Sequence, residues 1–413
     1  MKISVLGLGY VGLPLAIALA KKHEVIGLDI NEARIKELKQ NIDRTDEVST
    51  EELQKTSMQY TNDITQTTSC NIHIVTVPTP IDEFLKPDLT PVIKATESLA
   101  KIIKKDDIIV YESTVYPGVT EDICVPILET SGLKFNIDFY CGYSPERINP
   151  GDKVHRVETI KKIVSGSNEK SAKILEELYA SVITAGIHLA PSLKVAEMAK
   201  VIENTQRDIN IAFMNELAII CSKVGIDTKD VLNAAETKWN FLRFYPGLVG
   251  GHCIGVDPYY LAHKSAQMGY IPEMILAGRK LNEFMPQFIT SEIIKLMASK
   301  QIDISTCKAL VLGITFKEDC PDIRNSKVYE LVKELQSYHL SELDIYDPLA
   351  DAKEVKEEYG ISLTPTLKEK HYDVIVLAVS HEEILALDIS KYQSANSIIY
   401  DIKSVLPTSD KRL

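Results

Sequence analysis

One cysteine stands among glycines in the segment GGHCIGVDPYY, residues 250–260. Cys253 lacks the apolar neighbours of a core thiol, and the glycines around it let a substrate approach its sulfur. A thiol in this setting is a candidate nucleophile, and Asp257, four residues later, is a candidate for moving protons. The alternative is a packed thiol, because most lone cysteines behave as small hydrophobes. His252 directly precedes Cys253, and adjacent side chains rarely face each other. We therefore interpret His252 as structural and not as the base of a Cys/His pair.

A glycine-rich turn near the N-terminus predicts the binding of a dinucleotide. The pattern G-x-G-x-x-G lies between a predicted strand and the predicted helix YVGLPLAIALAKK. The glycines provide a tight turn, close approach to a pyrophosphate and helix-to-strand packing, and the positive end of the helix faces the phosphates. Asp29 ends the next strand, where a carboxylate binds the adenosine ribose, and an acidic residue there favours NAD over NADP. The predicted cofactor contacts in the turn are Gly7, Gly9, Tyr10, Val11 and Gly12.

Three further residues are candidates for contacting the same cofactor. Thr79 in VPTP and Thr114 in ESTVYPG follow predicted strands, and ligands bind beyond the carboxyl ends of strands in an open parallel sheet. Ordinary turn chemistry explains these two residues equally well. Arg34 lies on the helix after Asp29, where it either pairs near the adenine or is a solvated charge.

A second cluster of charge lies in the segment GITFKEDCPDIRNS, residues 313–326. Lys317 and Arg324 precede a predicted helix that Asn325 or Ser326 would cap, and this arrangement suits an anion. An exposed charged loop is the alternative.

Two α/β regions surround a helical one. The first 150 residues alternate β-branched runs with helical patterns, which predicts a parallel sheet with crossover helices. Residues 143–153 form a predicted loop, followed by the strand TIKKIVSG and the helix KSAKILEELYASV. From about Ser192 the pattern is helical only, and after residues 299–306 a second, smaller α/β region begins.

The helical region contains one long amphipathic helix, predicted from Val195 to Val224. At 100° per residue its apolar residues share one side, while Glu197, Lys200 and Asn204 gather with Arg207 on the other. Because the helix exceeds the usual globular length, we expect it to bridge two domains and to pack against a second copy of the chain.

Composition restricts the remaining function classes. The 413 residues suit two or three domains, and the net charge of −12 argues against nucleic acid, so bound anions must be met by local positive charge. Seven cysteines with no CxxC pair and no zinc-like Cys/His spacing predict no metal site and a reducing cytosol. An apolar run of about 18 residues, as a membrane span requires, does not occur in the sequence.

Together these motifs resemble the UDP-glucose/GDP-mannose dehydrogenase family over essentially the whole chain. They are GLGYVGLPLA with Asp29, VPTP, ESTVYPG, SPERINPG, E-x-x-K-x-x-x-N, GGHCIGVDPYYL and G-x-x-F-K-x-D-x-x-D-x-R. The resemblance implies an α/β fold in which a central helical region with one long helix joins two doubly wound Rossmann-like domains. The implied domains are an NAD-binding domain (1–192), a dimerisation and catalytic region (193–298) and a UDP-sugar-binding domain (299–413).

Such enzymes oxidise the C6 alcohol of a nucleotide sugar to a carboxylate in two hydride transfers, using two NAD+. The resemblance implies that Cys253 adds to the C6 aldehyde, that the thiohemiacetal loses a second hydride, and that water hydrolyses the resulting thioester. It implies a UDP-sugar as substrate, a homodimer or larger homo-oligomer, and a cytoplasmic location without a membrane or nucleic-acid partner.

The resemblance also implies roles for individual residues. Lys200 and Asp257 would handle protons and stabilise an oxyanion, and Asn204 would position the C6 oxygen. Glu146 would assist water, and Thr114 would lie near the nicotinamide. Arg324 would meet the cofactor or a phosphate, and Arg243 would reach a substrate across a dimer. The implied substrate contacts are Glu146, Arg147, Lys200, Asn204, Arg243, Tyr245, Gly247, Gly250 and Lys317.

The motif wording favours one branch of the family. UDP-glucose dehydrogenases read N-P-E-F-L-R-E-G and G-x-C-x-P-K-D where this chain has SPERINPG and GHCIGVD, so Val256 replaces a lysine. The motifs of this chain most resemble those of the enzymes that oxidise UDP-N-acetylglucosamine and UDP-N-acetylgalactosamine for O-antigen and capsule synthesis. The alternatives are a UDP-glucose 6-dehydrogenase and a non-catalytic nucleotide sensor. A two-electron hydroxy-acid dehydrogenase explains neither Cys253 nor the second α/β region.

Overall fold

The structure is a computed structural model that describes residues 1–82, 84–148, 156–251, 254–367 and 370–413. These residues form two compact units, which the long helix joins along the chain. The first comprises Met1–Glu203 and Tyr259–Ile271, and the second comprises Asn204–Pro258 and Pro272–Leu413. Each unit contains one sheet of mainly parallel strands with helices between them, which confirms the predicted fold class.

The sheet of the first unit has the order β3-β2-β1-β4-β5-β6-β7-β8, and only the β6–β7 pair is antiparallel. The central strands read KISVL, IHIV and IIVY because helices cover both faces of the sheet. The strands are β1 Lys2–Leu6, β2 Glu24–Leu28, β3 Gln59–Thr61, β4 Ile72–Val75, β5 Ile108–Tyr111, β6 Tyr140–Tyr143, β7 Lys162–Gly166 and β8 Ile187–Leu189.

The helices of this unit follow its strands and cover the sheet. Asn31 caps α2 by accepting the N–H groups of Ala33 and Arg34, and Asn168 caps α6 in the same way. The helices are α1 Gly12–Ala20, α2 Glu32–Lys39, α3 Thr50–Lys55, α4 Thr90–Ala100, α5 Val125–Leu128 and α6 Glu169–Ala180, with the beginning of α7 Leu193–Val224 and most of α9 Asp257–Gln267.

The second unit has an all-parallel sheet of order β10-β9-β11-β12-β13. Its strands are β9 Lys308–Leu312, β10 Glu342–Tyr346, β11 Tyr372–Leu377, β12 Gln393–Asp401 and β13 Lys411–Arg412. The rest of α7 belongs to this unit, with the helices α8 Thr228–Ala235, α10 Glu273–Ser299, α11 Lys327–Ser337, α12 Ala352–Tyr359 and α13 Glu382–Leu385.

The long helix α7 has the two faces that its sequence predicts, with an unusual orientation. Its polar side is largely buried, and Glu197, Asp208 and Asn215 are each 0% exposed. Its apolar side is open to solvent in the single chain, although Arg207 on the polar side is exposed too. The exposed apolar residues are Val195, Met198, Ile202, Phe213, Ile220 and Val224. The helix therefore buries polar groups and leaves an apolar face uncovered.

Within the described ranges, none of the helices has the length and apolar content needed to cross a bilayer.

Candidate active site

The turn after β1 has the backbone that a dinucleotide requires. Gly7 adopts a φ of +96°, and a Cβ there would lie 3.0 Å from the Thr76 carbonyl oxygen. A Cβ on Gly12 would lie 1.9 Å from the Gly7 oxygen, so only glycine allows α1 to pack this closely. By contrast, no atom lies within 4 Å of a Cβ built on Gly9. Gly9 therefore leaves open space where a pyrophosphate can approach the backbone.

The N-terminus of α1 beside this space has the right polarity for an anion. Its N-cap residue, Val11, provides no side-chain cap, and no acidic residue stands in the first turn. Asp29 is fixed nearby, with Oδ2 accepting the Leu8 N–H at 2.8 Å and Oδ1 accepting the Asn31 N–H at 2.9 Å. Backbone donors, open space and a ribose-binding carboxylate together fit NAD. Tyr10 lies in the same turn.

The Arg34 side chain is hydrogen-bonded to the backbone of this turn. The residue is only 5% exposed, so the interpretation as a solvated charge is wrong. Its Nε donates to the Leu8 carbonyl at 2.9 Å, and its Nη2 forms a buried ion pair with Asp43 at 2.7 Å. A contact of Arg34 with the cofactor stays a prediction.

Two hydrogen-bonded anchors hold the loops that carry Thr79 and Thr114. The Ser113 hydroxyl donates to the Val77 carbonyl at 2.6 Å and so joins the two loops. The fully buried Glu197 of α7 accepts the Gly118 N–H at 2.6 Å and holds the far end of the second loop. Both threonines are half-buried, which leaves part of each side chain accessible.

Lys200, one helical turn after Glu197, has a largely buried side chain. It is 8% exposed, and no hydrogen bond or ion pair joins its Nζ to any residue in the described ranges. Largely buried lysines are uncommon unless they are paired. An uncompensated ammonium is suited to stabilising negative charge on a bound ligand.

Asn204 and Asp257 are brought into direct contact, although 53 positions separate them. The Asn204 Nδ2 donates to Asp257 Oδ2 at 2.5 Å, and Asp257 is 3% exposed as the first residue of α9. Cys253 and His252 lie outside the described residues. Gly250 and Gly251 before them pack against the second α/β region, since a Cβ on Gly250 would lie 2.6 Å from the Asn325 carbonyl.

The ring of Phe316 occupies the space beside Gly251, 2.8 Å from the position of a Cβ there. Packing therefore explains Gly250 and Gly251, and the approach of a substrate to the Cys253 sulfur stays a prediction.

Glu146 is buried at the edge of the first unit. Its Oε2 lies 3.0 Å from Lys162 Nζ, and its Oε1 accepts the N–H groups of Arg147 and Ile148, each at 2.6 Å. The Arg147 guanidinium pairs with Glu203 of α7 at 3.0 Å. The loop SPER is thus fixed as far as it is described.

A pocket of the second unit gathers positive charge at the start of α11. Lys317, Lys327, Lys403 and Glu318 line it, together with Ser326, which caps the helix by accepting the Val328 N–H. Lys327 pairs with Glu283, and Lys403 lies 3.2 Å from Glu318. Lysines beside a helix N-terminus suit a diphosphate, for which these carboxylates would compete. Arg324 lies in the preceding loop, where its guanidinium forms a bidentate pair with Asp322 at 2.9 and 2.6 Å.

The segment with Arg243, Tyr245 and Gly247 has an exposed and an anchored part. The Arg243 side chain is 69% exposed and lies 3.5 Å from Glu236, and Tyr245 is exposed as well. Gly247 is fixed by Asn215 of α7, whose amide both donates to and accepts from its backbone, at 3.0 and 2.8 Å.

Comparison with known proteins identifies the architecture. Models of the UDP-glucose/GDP-mannose dehydrogenase family match three parts of the chain: the NAD binding domain over 1–183, the central domain over 194–284 and the UDP binding domain over 310–408. The chain belongs to this family. It is an NAD-dependent nucleotide-sugar dehydrogenase, in which the Gly7 turn lies within the NAD-binding part and Lys317 within the UDP-binding part.

Relatives of this dehydrogenase align along their whole length. The chain is 54% identical to the UDP-N-acetyl-D-glucosamine 6-dehydrogenase of Pseudomonas aeruginosa, covering 100% of the chain and 99% of the relative. It is 52% identical to protein CapL of Staphylococcus aureus, covering 99% and 97%. The solved UDP-D-ManNAc dehydrogenase of Pyrococcus horikoshii has 30% identity and a TM-score of 0.89, covering 100% of the chain and 98% of that structure.

Several residues that organise this dehydrogenase were not predicted from its sequence. Glu197 belongs to the E-x-x-K-x-x-x-N pattern, and Glu112 opens ESTVYPG, so both motifs contained a signal for an anchoring charge. Thr76, which donates to the Gly7 carbonyl at 2.7 Å, directly precedes VPTP. Lys162 had no signal beyond its position before an apolar strand.

Proposed function

We propose that the enzyme oxidises the C6 hydroxyl of a UDP-N-acetylhexosamine, UDP-GlcNAc or UDP-GalNAc, to the uronic acid for surface polysaccharide synthesis. The single structural observation that carries the proposal is Lys200, 8% exposed and paired with no carboxylate of the described ranges, on a helix whose next turn holds the Asn204–Asp257 pair. The full-length relative named for UDP-N-acetyl-D-glucosamine supports this sugar class.

Each group of residues would have its own task in the first oxidation. The Gly7–Gly12 turn and Asp29 would hold NAD+, which when bound accepts hydride from C6. Lys200 would stabilise the oxyanion on the C6 oxygen, Asn204 would orient that oxygen and Asp257 would take its proton.

Cys253 would then add its thiol to the aldehyde, and the thiohemiacetal would give its hydride to a second NAD+ and a proton to solvent to become a thioester. Attack by water, assisted by Glu146, would release the carboxylic acid and regenerate the thiol. Thr114 would face the reacting carbon, while Lys317 and the other pocket lysines would bind the UDP diphosphate. Arg324 would meet a phosphate of the cofactor or the substrate.

Replacing Cys253 tests this chemistry. We expect Cys253→Ala to lose net acid formation almost completely while binding NAD+ and UDP-sugar with nearly unchanged affinity, because the thiol acts only after the first oxidation. Cys221→Ala is the matched control, since this buried thiol of α7 lies away from the motif. Normal turnover by Cys253→Ala would refute the covalent mechanism.

A substrate screen tests the sugar class. Rates of NADH formation with UDP-GlcNAc, UDP-GalNAc, UDP-ManNAc, UDP-glucose and GDP-mannose should be highest for an N-acetylhexosamine. The competing function is a UDP-glucose 6-dehydrogenase, and a higher kcat/KM for UDP-glucose would establish it instead.

We also propose that the enzyme is a cytoplasmic homo-oligomer that pairs through the exposed apolar face of α7. At 100° per residue the six residues of this face share one stripe of the helix, which suits pairing with a second copy. Arg243, on its exposed segment, would reach the partner's substrate. Residues 1–192, 193–298 and 299–413 would serve as the cofactor, central and UDP-sugar parts.

A further inference from the structure

Behind Glu146 lies a group of buried ionisable side chains, here named the buried charge chain: Glu146, Lys162, Glu112 and Tyr179. Lys162 Nζ lies 3.0 Å from Glu146 Oε2 and 2.6 Å from Glu112 Oε2. The Tyr179 hydroxyl donates to the other oxygen of Glu112. The side chains of Lys162 and Glu112 are 3% and 0% exposed. The buried charge chain thus connects a loop residue to the interior of the first unit.

The buried charge chain connects three elements that carry predicted site residues. Glu146 follows β6, Lys162 opens β7, and Glu112 directly follows β5 and precedes the loop with Thr114. Lys162 therefore ties the loop of Glu146 to the loop of Thr114. Because backbone N–H groups hold one oxygen of Glu146 and Lys162 holds the other, the orientation of this carboxylate is fixed at both atoms.

Stability alone does not account for this arrangement. One lysine faces two carboxylates, so the fully ionised set would place a net negative charge in a buried place. Buried ion pairs of ordinary geometry are often no more stable than apolar residues of the same volume, and an unbalanced set is worse. A better explanation is that the arrangement sets the orientation and the charge of the more accessible Glu146 carboxylate. Glu146, 7% exposed, is the most accessible of the three charged residues.

Burial and the neighbouring charges shift the pKa values of Glu112 and Glu146 in opposite directions. Burial raises the pKa of Glu112 to about 7, against the opposing effect of Lys162. Burial would also raise the pKa of Glu146, but the Lys162 charge and the N–H groups of Arg147 and Ile148 outweigh it and lower this pKa. Burial would lower the pKa of Lys162, yet its two carboxylate partners raise it. Near neutral pH a proton is therefore taken up at Glu112, and Glu146 stays ionised.

We propose that Lys162 is a positioning residue that fixes the orientation and the charge of Glu146, and that Glu112 holds Lys162 in place by accepting its hydrogen bond. The proposal rests on the part that Glu146 plays in the proposed function. In this arrangement Lys162 and Glu112 never touch the substrate, and they act on the reaction only through the Glu146 carboxylate.

The test compares two substitutions in the buried charge chain. Lys162→Met removes the counter-charge, so the acidic limb of the kcat/KM profile should move up by about one pH unit or more. Glu112→Gln replaces a carboxyl that is already protonated on this limb by a neutral amide whose oxygen can still accept hydrogen bonds, so the limb should stay in place. Lys162→Arg should restore the wild-type limb in part. The matched control is Lys170→Met, which removes a lysine from an exposed pair with Asp106 and should leave the acidic limb of the kcat/KM profile unchanged.

An infrared pH titration of the protonated carboxyl band, assigned with Glu146→Gln, gives the pKa of Glu146 without relying on activity. We expect this pKa to rise in Lys162→Met and to stay unchanged in Glu112→Gln. No rise in Lys162→Met, or an equal rise in both variants, would overturn the proposal even if both lose stability. If the infrared pKa moves as expected while Glu146→Gln keeps full activity, the positioning stands and the proposed role of Glu146 in the reaction fails.

Discussion

The two α/β units contain the same turn and use it differently. After β1 and after β9 a glycine of positive φ, Gly7 at +96° and Gly313 at +92°, donates its N–H to the last carbonyl of the neighbouring strand at 2.8 Å. In both turns the next residue donates to the aspartate that follows that strand, Asp29 in the first unit and Asp347 in the second. The two turns therefore have the same backbone conformation at the glycine and matching hydrogen bonds.

The two turns differ in the length of chain between the glycine and the next helix. In the first unit α1 begins at Gly12, and Asp29 stays half-buried. In the second unit α11 begins only at Lys327, and Asp347 is buried. His381 Nδ1 accepts the Asp319 N–H at 2.9 Å, so its Nε2 carries the proton that faces Asp347 at 3.1 Å.

This comparison shows how one scaffold provides two kinds of nucleotide site. An early helix leaves its N-terminus and a partly accessible carboxylate beside the turn of the NAD-binding domain. A delayed helix leaves room for a loop with Lys317, and the aspartate is then used to lock that loop in place instead of binding a ligand.

The largest effect is expected from adding one methyl group to the first turn. Gly12→Ala should destabilise the first unit by about 3 kcal/mol or more and abolish NAD+ binding, because the new Cβ would collide with the Gly7 oxygen. Gly9→Ala is the matched control, since its Cβ meets open space and should weaken NAD+ binding with little loss of stability. Thermal unfolding and calorimetric titration with NAD+ measure both. Equal losses of stability in the two variants would contradict this account of the turn.

A smaller effect is expected from replacing Asp347, whose hydrogen bonds hold the second turn. Asp347→Asn should cost about 1–3 kcal/mol of stability and raise the KM for UDP-sugar, because it removes the charge that accepts from His381 and the backbone. Burial would raise the pKa of Asp347, but these hydrogen bonds outweigh it and hold the pKa below its ordinary value of 3.8. Its stabilisation is therefore present above pH 3.8 and is lost as the pH falls through the lowered folded pKa. Chemical unfolding between pH 3 and pH 7 should show a shallower loss in the variant.

The smallest effects separate the two sites kinetically. Asp29→Asn should raise the KM for NAD+ several-fold and leave the KM for UDP-sugar unchanged. Lys317→Met should do the reverse, raising the KM for UDP-sugar by about tenfold through loss of a charged contact. Steady-state kinetics with each substrate varied in turn measures both. A rise of both KM values in either variant would show that the sites are not separate.

Prediction from the sequence was strongest where function depends on local spacing. The three glycines and Asp29 are recognisable because each role belongs to one position of a strand–turn–helix unit. The two faces of α7 were also predictable, but which face is buried depends on the rest of the fold. The pairing of Lys162 with Glu112 could not be foreseen, because 50 positions separate the two residues and only the sheet brings them together.

The burial of Arg34 shows the same limit. The pattern around a helical arginine near a nucleotide turn indicates a surface charge or a ligand contact, and only the position of Asp43 in the fold reveals a buried ion pair. Short strands such as β3 and β8, with three residues each, provide too little periodicity to be predicted.

The central claim is that one enzyme uses its first nucleotide site twice for each sugar bound at the second. The most direct measurement is the amount of NADH formed per UDP-N-acetylhexosamine consumed to completion, with the product identified by mass spectrometry. We expect two NADH for each uronic acid formed and no free aldehyde. One NADH per sugar with release of the aldehyde would contradict the claim.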